Sequence, residues 1–305
     1  MSLPIVSVPS AYSKFMHIPV LLESSITGLA VAPRDVVIDG TFGGGGHSTA
    51  LLSQYGDSIR LVCVDLDEHA KDRFEEKLGT HSNVTFVQSN FKDAGMILAS
   101  ASHDHADRVL LDLGTSTFQL LADDRGFSFN SDTPLAMTFA RAGSHTGFTA
   151  SDIVNTWQEE SIADIIFGYG EDTSARRIAR AIVAAREITP ILTSKQLADV
   201  ITAAIPRRGK THPATKTFQA LRITVNDELS VLKEALANWW SVLSPGGRIA
   251  VITFHSLEDR IVKRWMIDQE HKRVITKKPI IPTLQELQAN PKSRSAKLRI
   301  IEKTL

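Results

Sequence analysis

The sequence predicts an α/β fold, a doubly wound and mainly parallel sheet interrupted by an all-helical insert. Three observations carry that expectation. Four runs rich in Val, Ile and Leu, at 35–42, 59–67, 83–90 and 106–114, alternate with helix-length segments at 46–55, 68–78 and 92–101. Such alternation is the rhythm of buried parallel strands joined by crossover helices. Between Thr115 and about Lys210 the rhythm stops and only helical patterns remain, and after that gap strands resume. The expected organisation is a discontinuous sheet domain, 1–114 with 211–305, around a helical insert at 115–210.

In the insert, "TASDIVNTW" opens a helix with Ser151 as the expected N-cap. "SARRIARAIVAAR" (174–186) sets Ile178, Ile182 and Ala185 on one face, and "TSKQLADVITAAI" (193–205) begins with a Thr-x-x-Gln capping box. A long amphipathic helix is predicted from about Ala214 to Leu243, because Phe218, Leu221, Val225, Leu229, Leu232, Leu236, Trp239 and Leu243 recur at three- and four-residue steps. "SPGG" (244–247) turns the chain into a buried strand at 248–256. A helix at 257–268 and a final edge strand over 296–304 complete the pattern.

Composition narrows the function classes. With 43% hydrophobic and 22% charged residues in 305 positions, the chain has the make-up of a soluble globular protein. Its apolar runs are too short for a membrane span. The formal net charge of zero excludes a generally polyanion-seeking protein, so any nucleic-acid contact has to be local. One local surplus exists: from Arg260 to Leu305, twelve Lys or Arg face four Asp or Glu. That surplus fits phosphate contact or simply solvated surface. The single cysteine, Cys63, lies in the apolar run "LVCVDLD" and is expected as a core residue. The ten histidines show no metal-ligand spacing, so no metal is expected. A cytoplasmic setting and a frayed N-terminal tail are the further expectations. Whether the chain forms a homodimer stays open.

The third observation is "VVIDGTFGGGGHS" (36–48), with four consecutive glycines between the first strand and the first helix. A glycine turn at this place lets a ligand approach the backbone, with helix N-terminal amides beside it. A dinucleotide fingerprint fails, because the third glycine slot holds Ser48, and a P-loop fails for want of a following Lys. S-adenosylmethionine fits better. Asp65 stands twenty residues after Gly45, at the end of the second strand, where an acid accepts bonds from ribose hydroxyls. The competing view is a tight structural turn with a surface carboxylate.

On these residues and several longer motifs, the chain resembles the ribosomal RNA small subunit methyltransferase H family, the MraW-type enzymes. The motifs are "HIPVLLES" (17–24), "DGTFGGGGHS" (39–48), "DLGTSTFQLLADDRGFSFNSDTPL" (112–135), "YGEDTSARRIARAIV" (169–183), "HPATKTFQALRITVNDEL" (212–229), "SPGGRIAVITFHSLEDRIVKR" (244–264) and "NPKSRSAKLR" (290–299). The resemblance implies a class I, Rossmann-like methyltransferase with an inserted helical substrate domain. It implies S-adenosylmethionine as methyl donor and methylation of the exocyclic N4 of a cytidine in the decoding centre of 16S ribosomal RNA, within the small ribosomal subunit. The family's cofactor contacts fall on Gly45, Gly46, His47, Asp65, Phe91, Asp112 and Gln119. Similar sequences read "PLDMRM" where this one reads "PLAMTF", so Ala136 and Thr138 replace an acidic and a basic residue. That change bears on insert packing, substrate position or catalytic competence.

Candidate catalytic groups are Asp112 and Ser116, at the end of the fourth strand, and His255, at the end of "VITFHS". Asp112 either orients the cofactor, accepts an N4 hydrogen, or satisfies turn amides. His255 either orders substrate and relays a proton, or merely adjoins an N-capping pair, Ser256 with Asp259. For RNA, Lys216, Gln219, Arg222 and Asn226, with Thr215, form a polar stripe just after "RRGK" (207–210); a solvated helix face is the alternative. Arg176, Arg177 and Arg180 are weaker candidates. A target base in duplex would first have to be flipped out. The competing functions are a non-catalytic ribosome-assembly factor that keeps the fold, and a dinucleotide-dependent dehydrogenase, which the missing third glycine disfavours.

Overall fold

The computed structural model describes residues 19–114, 125–129, 131–139, 147–205 and 211–305. Strands β1 (Val36–Asp39), β2 (Arg60–Asp65), β3 (Val84–Gln88) and β4 (Ala106–Asp112) lie inside the four predicted apolar runs. After the helical segment come β5 (Leu243–Thr253), β6 (Lys272–Val274) and β7 (Lys297–Lys303). The sheet order is β3-β2-β1-β4-β5-β7-β6. Strands β1 to β5 run parallel, whereas β7 is antiparallel to both β5 and β6.

Both faces of the sheet are covered, which is why its central strands read as unbroken apolar runs. Helices α1 (Leu22–Leu29), α2 (Gly46–Tyr55) and α3 (His69–Leu78) pack on the face that presents Val37, Leu61, Cys63, Leu110 and Ile252. Cys63 is fully buried, as expected from its place in the sequence. The opposite face, with Ile38, Val62, Val109 and Val251, is covered by α4 (Ala94–Ser100) and by Trp239, Leu236 and Val262 from later helices.

A separate cluster gathers α5 (Ala150–Thr156), α6 (Glu159–Gly168), α7 (Ala175–Ile188), α8 (Ser194–Ala204) and α9 (Thr215–Asn226) around Ile153, Ile166, Ile178, Leu197 and Leu221. Thr193 and Gln196 form the capping box expected for α8. For α5 the cap is Thr149 paired with Asp152 rather than Ser151. Thr149 has the extended backbone and the acidic N3 partner that a capping box needs.

The long helix expected over 214–243 is two helices, α9 and α10 (Glu228–Val242). Asp227, between them, is in the left-handed region with φ 48°. The apolar stripe serves two cores: Phe218, Leu221 and Val225 face the helical cluster, and Leu232, Leu236 and Trp239 face the sheet. A single straight stripe cannot point at both, so the axis turns. By core membership α9 therefore belongs with the helical body, in contrast to the expected return to the sheet domain at 211. The final strand also differs from expectation. Strand β7 is interior, with five consecutive buried residues, because the short polar β6 covers its outer side. The expected N-terminal tail, Ser116, Gln119 and the 207–210 run lie outside the described residues.

Candidate active site

The strand order reverses between β1 and β4, and the carboxyl ends of β1, β2 and β4 open there. In such sheets this switch point is the ligand crevice. The chain leaves β1 through the glycine turn and enters α2, whose first residues are Gly46 and His47. Gly43 and Gly45 have φ of 53° and 74°, a region that suits glycine. Close packing by the protein itself also demands small residues. A Cβ on Gly45 would lie 2.6 Å from the Phe42 ring, and one on Gly46 would lie 2.2 Å from Pro19.

Asp65, at the end of β2, braces this turn. Its Oδ2 accepts from the Gly43 amide at 2.7 Å and its Oδ1 from the Asp67 amide at 2.8 Å. Arg73 Nε donates to the Gly43 carbonyl and Lys77 Nζ to that of Gly44, so α3 grips the turn's outer side. Burial pushes the Asp65 carboxyl up to about 6 against the pull of those amides. Each carboxylate oxygen still has a second lone pair for a ligand hydroxyl. Phe91, after β3, is half-buried beside Gly40 and is held by its carbonyl, which accepts from Trp239 Nε1 at 2.7 Å.

Asp112 ends β4. Its amide donates to Thr41 Oγ1 at 2.7 Å, which ties β4 to the glycine turn. Its carboxyl Oδ2 lies 3.7 Å from His47 Nδ1, while Oδ1 is buried with no hydrogen-bond partner among the described residues. Burial raises this carboxyl well above the carboxylate range, and the nearby Asp39 and Glu258 raise it further. His47 is buried and pushed down to about 4, so its ring is neutral. Its Nε2 lies 3.2 Å from the Val20 carbonyl, so the ring proton sits on Nε2 and bare Nδ1 faces Asp112. An orphaned, desolvated carboxyl oxygen beside a glycine cradle fits the cationic amino-acid part of S-adenosylmethionine.

Sequence reasoning missed Asp39. It is buried, accepts from Ser48 Oγ at 2.6 Å and from the Thr41 amide, and is raised by burial to about 6. The only signal was its place as the last residue before the turn.

The other wall comes from β5 and the residues just after it. Asp112 pairs in register with Ile252, and the chain passes through Phe254 to His255. His255 is itself the N-cap of α11 (Ser256–Asp268), with Glu258 as its reciprocal partner; Ser256 and Asp259 are not the capping pair. Asp259 instead pairs with Arg299 at 2.6 Å and Lys297 at 3.1 Å. His255 Nε2 lies 3.2 Å from Glu258 Oε1, yet its geometry leaves that nitrogen without a hydrogen bond. Burial would raise the Glu258 carboxyl, but contact with His255, the Phe254 amide and Arg222 holds it below the ordinary range.

Of the polar stripe on α9, Lys216, Gln219, Arg222 and Asn226 are all engaged by the protein. Arg222 makes a bidentate pair with Glu228 across the α9–α10 break, at 2.7 and 2.9 Å. Asn226 accepts from the Phe139 amide and donates to the Met137 carbonyl, both at 2.8 Å. Their places one helical turn apart fit a bracing role for the bend better than contact with RNA. Gln219 and Lys216 lie further out. They donate to the carbonyls of Tyr169 and Glu171, at 2.9 and 2.7 Å. Glu171 in turn accepts from Ser256 and Arg260 of α11, so residues 169–171 clamp the helical body to the sheet domain. Thr138 is buried in the strap that Asn226 holds. Glu228, His255 and Glu258 bring ligand-capable atoms within 4.8 Å of one another, but Arg222 already neutralises Glu228 there.

A doubly wound sheet with this glycine turn, an acid after β2 and an orphaned carboxyl after β4 defines an S-adenosylmethionine-dependent methyltransferase of class I architecture. Sequence comparison narrows the class. Residues 14–304 match the MraW methylase family, and the chain belongs to that family. A relative from Brevibacillus brevis, named ribosomal RNA small subunit methyltransferase H, is 43% identical, over 95% of this chain and 98% of its own. A relative of the same name from Deinococcus deserti is 44% identical, over 95% and 94%. An rRNA methylase structure from Streptococcus thermophilus superposes with a TM-score of 0.45 at 11% identity, covering 95% of this chain and all of that one, too loosely to add anything.

Proposed function

We propose that the protein methylates the exocyclic N4 of a cytidine in the decoding centre of 16S ribosomal RNA, acting in the cytoplasm on the small ribosomal subunit. The family supplies the substrate class, through relatives named for the small subunit ribosomal RNA. The carrying observation is the buried Oδ1 of Asp112, unpartnered at the switch point of the sheet. S-adenosylmethionine, when bound, supplies an electrophilic methyl group.

The residues of the chain do the rest. Gly45, Gly46 and His47 line the cradle, Asp65 accepts hydroxyl hydrogens, and Phe91 supplies an apolar wall. Asp112 holds positive charge at the cofactor's amino-acid end, with its second oxygen available to accept an N4 hydrogen. Cytosine N4 is a weak nucleophile because its lone pair is delocalised into the ring, so an acceptor at N4 favours attack and stabilises the developing charge. Orientation of the base supplies much of the remaining acceleration. His255, whose Nε2 faces Glu258 Oε1 at 3.2 Å, positions the base or takes the proton onward; Ser116 is a further candidate acceptor. Lys216 and Gln219 remain RNA-facing candidates.

The test is transfer of labelled methyl from S-adenosylmethionine to small subunits unmethylated in the decoding centre, mapped by nuclease digestion and mass spectrometry. Label on N4 of one cytidine is the expected result. Binding of S-adenosylmethionine with no transfer to subunits or to free 16S RNA would mean a different substrate. Absence of both would favour an assembly factor that keeps the fold.

A further inference from the structure

A cleft of about 320 Å³ lies beside the transfer site and shares only His255 with the groups assigned to the chemistry. It is formed by Phe254, His255 and Ser256, from the β5–α11 junction, and by Pro282, Arg294 and Lys297, from the C-terminal segment. Its size is at the small end of ligand sites. Its position follows from register: Phe254 stands two residues past Ile252, the partner of Asp112, and a Cβ on Gly114 would meet the Phe254 ring at 3.5 Å. The cleft and the crevice thus share a wall.

The chemistry of the lining is selective. Lys297 is already paired with Asp259 at 3.1 Å. Arg294 is exposed and has no ion pair or hydrogen bond among the described residues. It sits in a short 3₁₀ turn, Pro291–Ser295, pinned by the buried Ser293, whose hydroxyl donates to the Asn290 carbonyl. The opposite side is fixed by the reciprocal backbone pair between Ile280 and Leu298. A free guanidinium on a fixed turn, next to an aromatic ring and a proline face, matches one nucleotide of single-stranded RNA: phosphate on the cation, base on the apolar surface. The twelve-to-four excess of basic residues after Arg260 places this cleft in the cationic part of the chain.

Resting on the RNA-methyltransferase reading, we propose that this cleft binds a nucleotide flanking the methylated cytidine, with Arg294 on its phosphate. The subsite holds the strand beside the target base after that base has left its stack, which lowers the cost of presenting it.

Two variants test this on the full chain. Arg294→Glu is expected to raise KM for small subunits about 3- to 10-fold, with S-adenosylmethionine binding unchanged. It also makes the log–log salt dependence of subunit binding shallower by about 0.7–0.9, the share of one phosphate contact. Lys233→Glu, an exposed site on α10, carries the same charge change and is expected to match wild type. Equal KM and salt slope for Arg294→Glu and Lys233→Glu would overturn the proposal while leaving the methyltransferase reading intact. In the second variant, Ile281→Cys, an exposed position on the rim carries a photo-crosslinker, since the natural Cys63 is buried. A crosslink to RNA next to the methylated base is expected, and a crosslink to a ribosomal protein overturns the proposal. If the wild-type protein transfers no methyl to RNA at all, both readings fall together.

Discussion

The two walls of the crevice are built differently. At the glycine turn the polar groups are satisfied by the turn and the strand ends that flank it: Asp65 by Gly43, 22 residues back, and by Asp67, and Asp39 by Thr41 and Ser48. On the β4–β5 side, partners arrive from far along the chain. Glu171 meets Ser256 and Arg260, and Arg299 meets Asp259. Among the described residues, Asp112 Oδ1 is buried without a partner on this second wall, and His255 Nε2, 3.2 Å from Glu258 Oε1, makes no hydrogen bond there. A turn whose polar groups are satisfied is a fixed one. The long-range wall carries the uncompensated polar groups, and those are what a substrate can engage.

The largest break in this contrast is expected at the α9–α10 bend. Arg222→Ala leaves Glu228 buried and unpaired, which costs about 3–5 kcal/mol. Denaturant unfolding should show it, and the double variant Arg222→Met with Glu228→Leu should recover most of the loss. A double variant as unstable as the single one would show that the pair itself, and not its desolvation, holds the bend.

Next comes Asp112→Ala, expected to lower methyl transfer by about 10²–10³-fold, as removal of a charge-stabilising group does. Thermal stability should hold or rise, because a raised carboxyl pKa means that its ionised form is disfavoured by the fold. A loss of folding instead would place Asp112 with the self-satisfied wall.

At the turn, Gly45→Ala imposes a left-handed φ of 74° on a residue with a Cβ, 2.6 Å from the Phe42 ring. The expected cost is about 1–3 kcal/mol, read as a lower Tm, with a parallel loss of cofactor affinity.

The smallest effect is a pH dependence. With Asp65 titrating near 6, only about a tenth of it is ionised at pH 5. The ionised carboxylate is the better acceptor for the cofactor's hydroxyls, so Asp65's share of S-adenosylmethionine affinity should rise by up to about tenfold from pH 5 to pH 7. For the ligand-free protein the sign reverses. A raised carboxylate pKa makes the folded state bind more protons than the unfolded one between about pH 4 and 6, so this group's share of stability falls as pH rises through that window. His47, lowered to about 4, acts in the opposite direction over a similar range. Asp65→Asn should flatten the binding profile measured by calorimetry.

How much of this was legible in the sequence divides along the same line. Parallel strands covered on both faces need continuous apolar runs, so β1 to β4 showed in the sequence. The glycine turn and Asp65 showed because backbone conformation and ligand approach restrict residue type within a short span. The cap of α8 was likewise local. Strand β6 was not legible, since three residues, Lys272 to Val274, gain strand geometry only from pairing with β7. The stripe on α9 looked like an RNA face because polar spacing on a helix does not say what lies opposite.

The sequence by itself determined the doubly wound sheet, the glycine turn and the family. These rest on periodicity, glycine conformation and long ordered motifs, all properties of neighbouring residues. Only the tertiary structure decided that the long helix bends at Asp227, that Arg222 and Asn226 brace that bend, that His255 caps α11, and that Asp112 keeps an oxygen free. Each depends on which groups meet after distant segments pack, and a buried polar atom's partner is fixed by that packing and by nothing local to the atom.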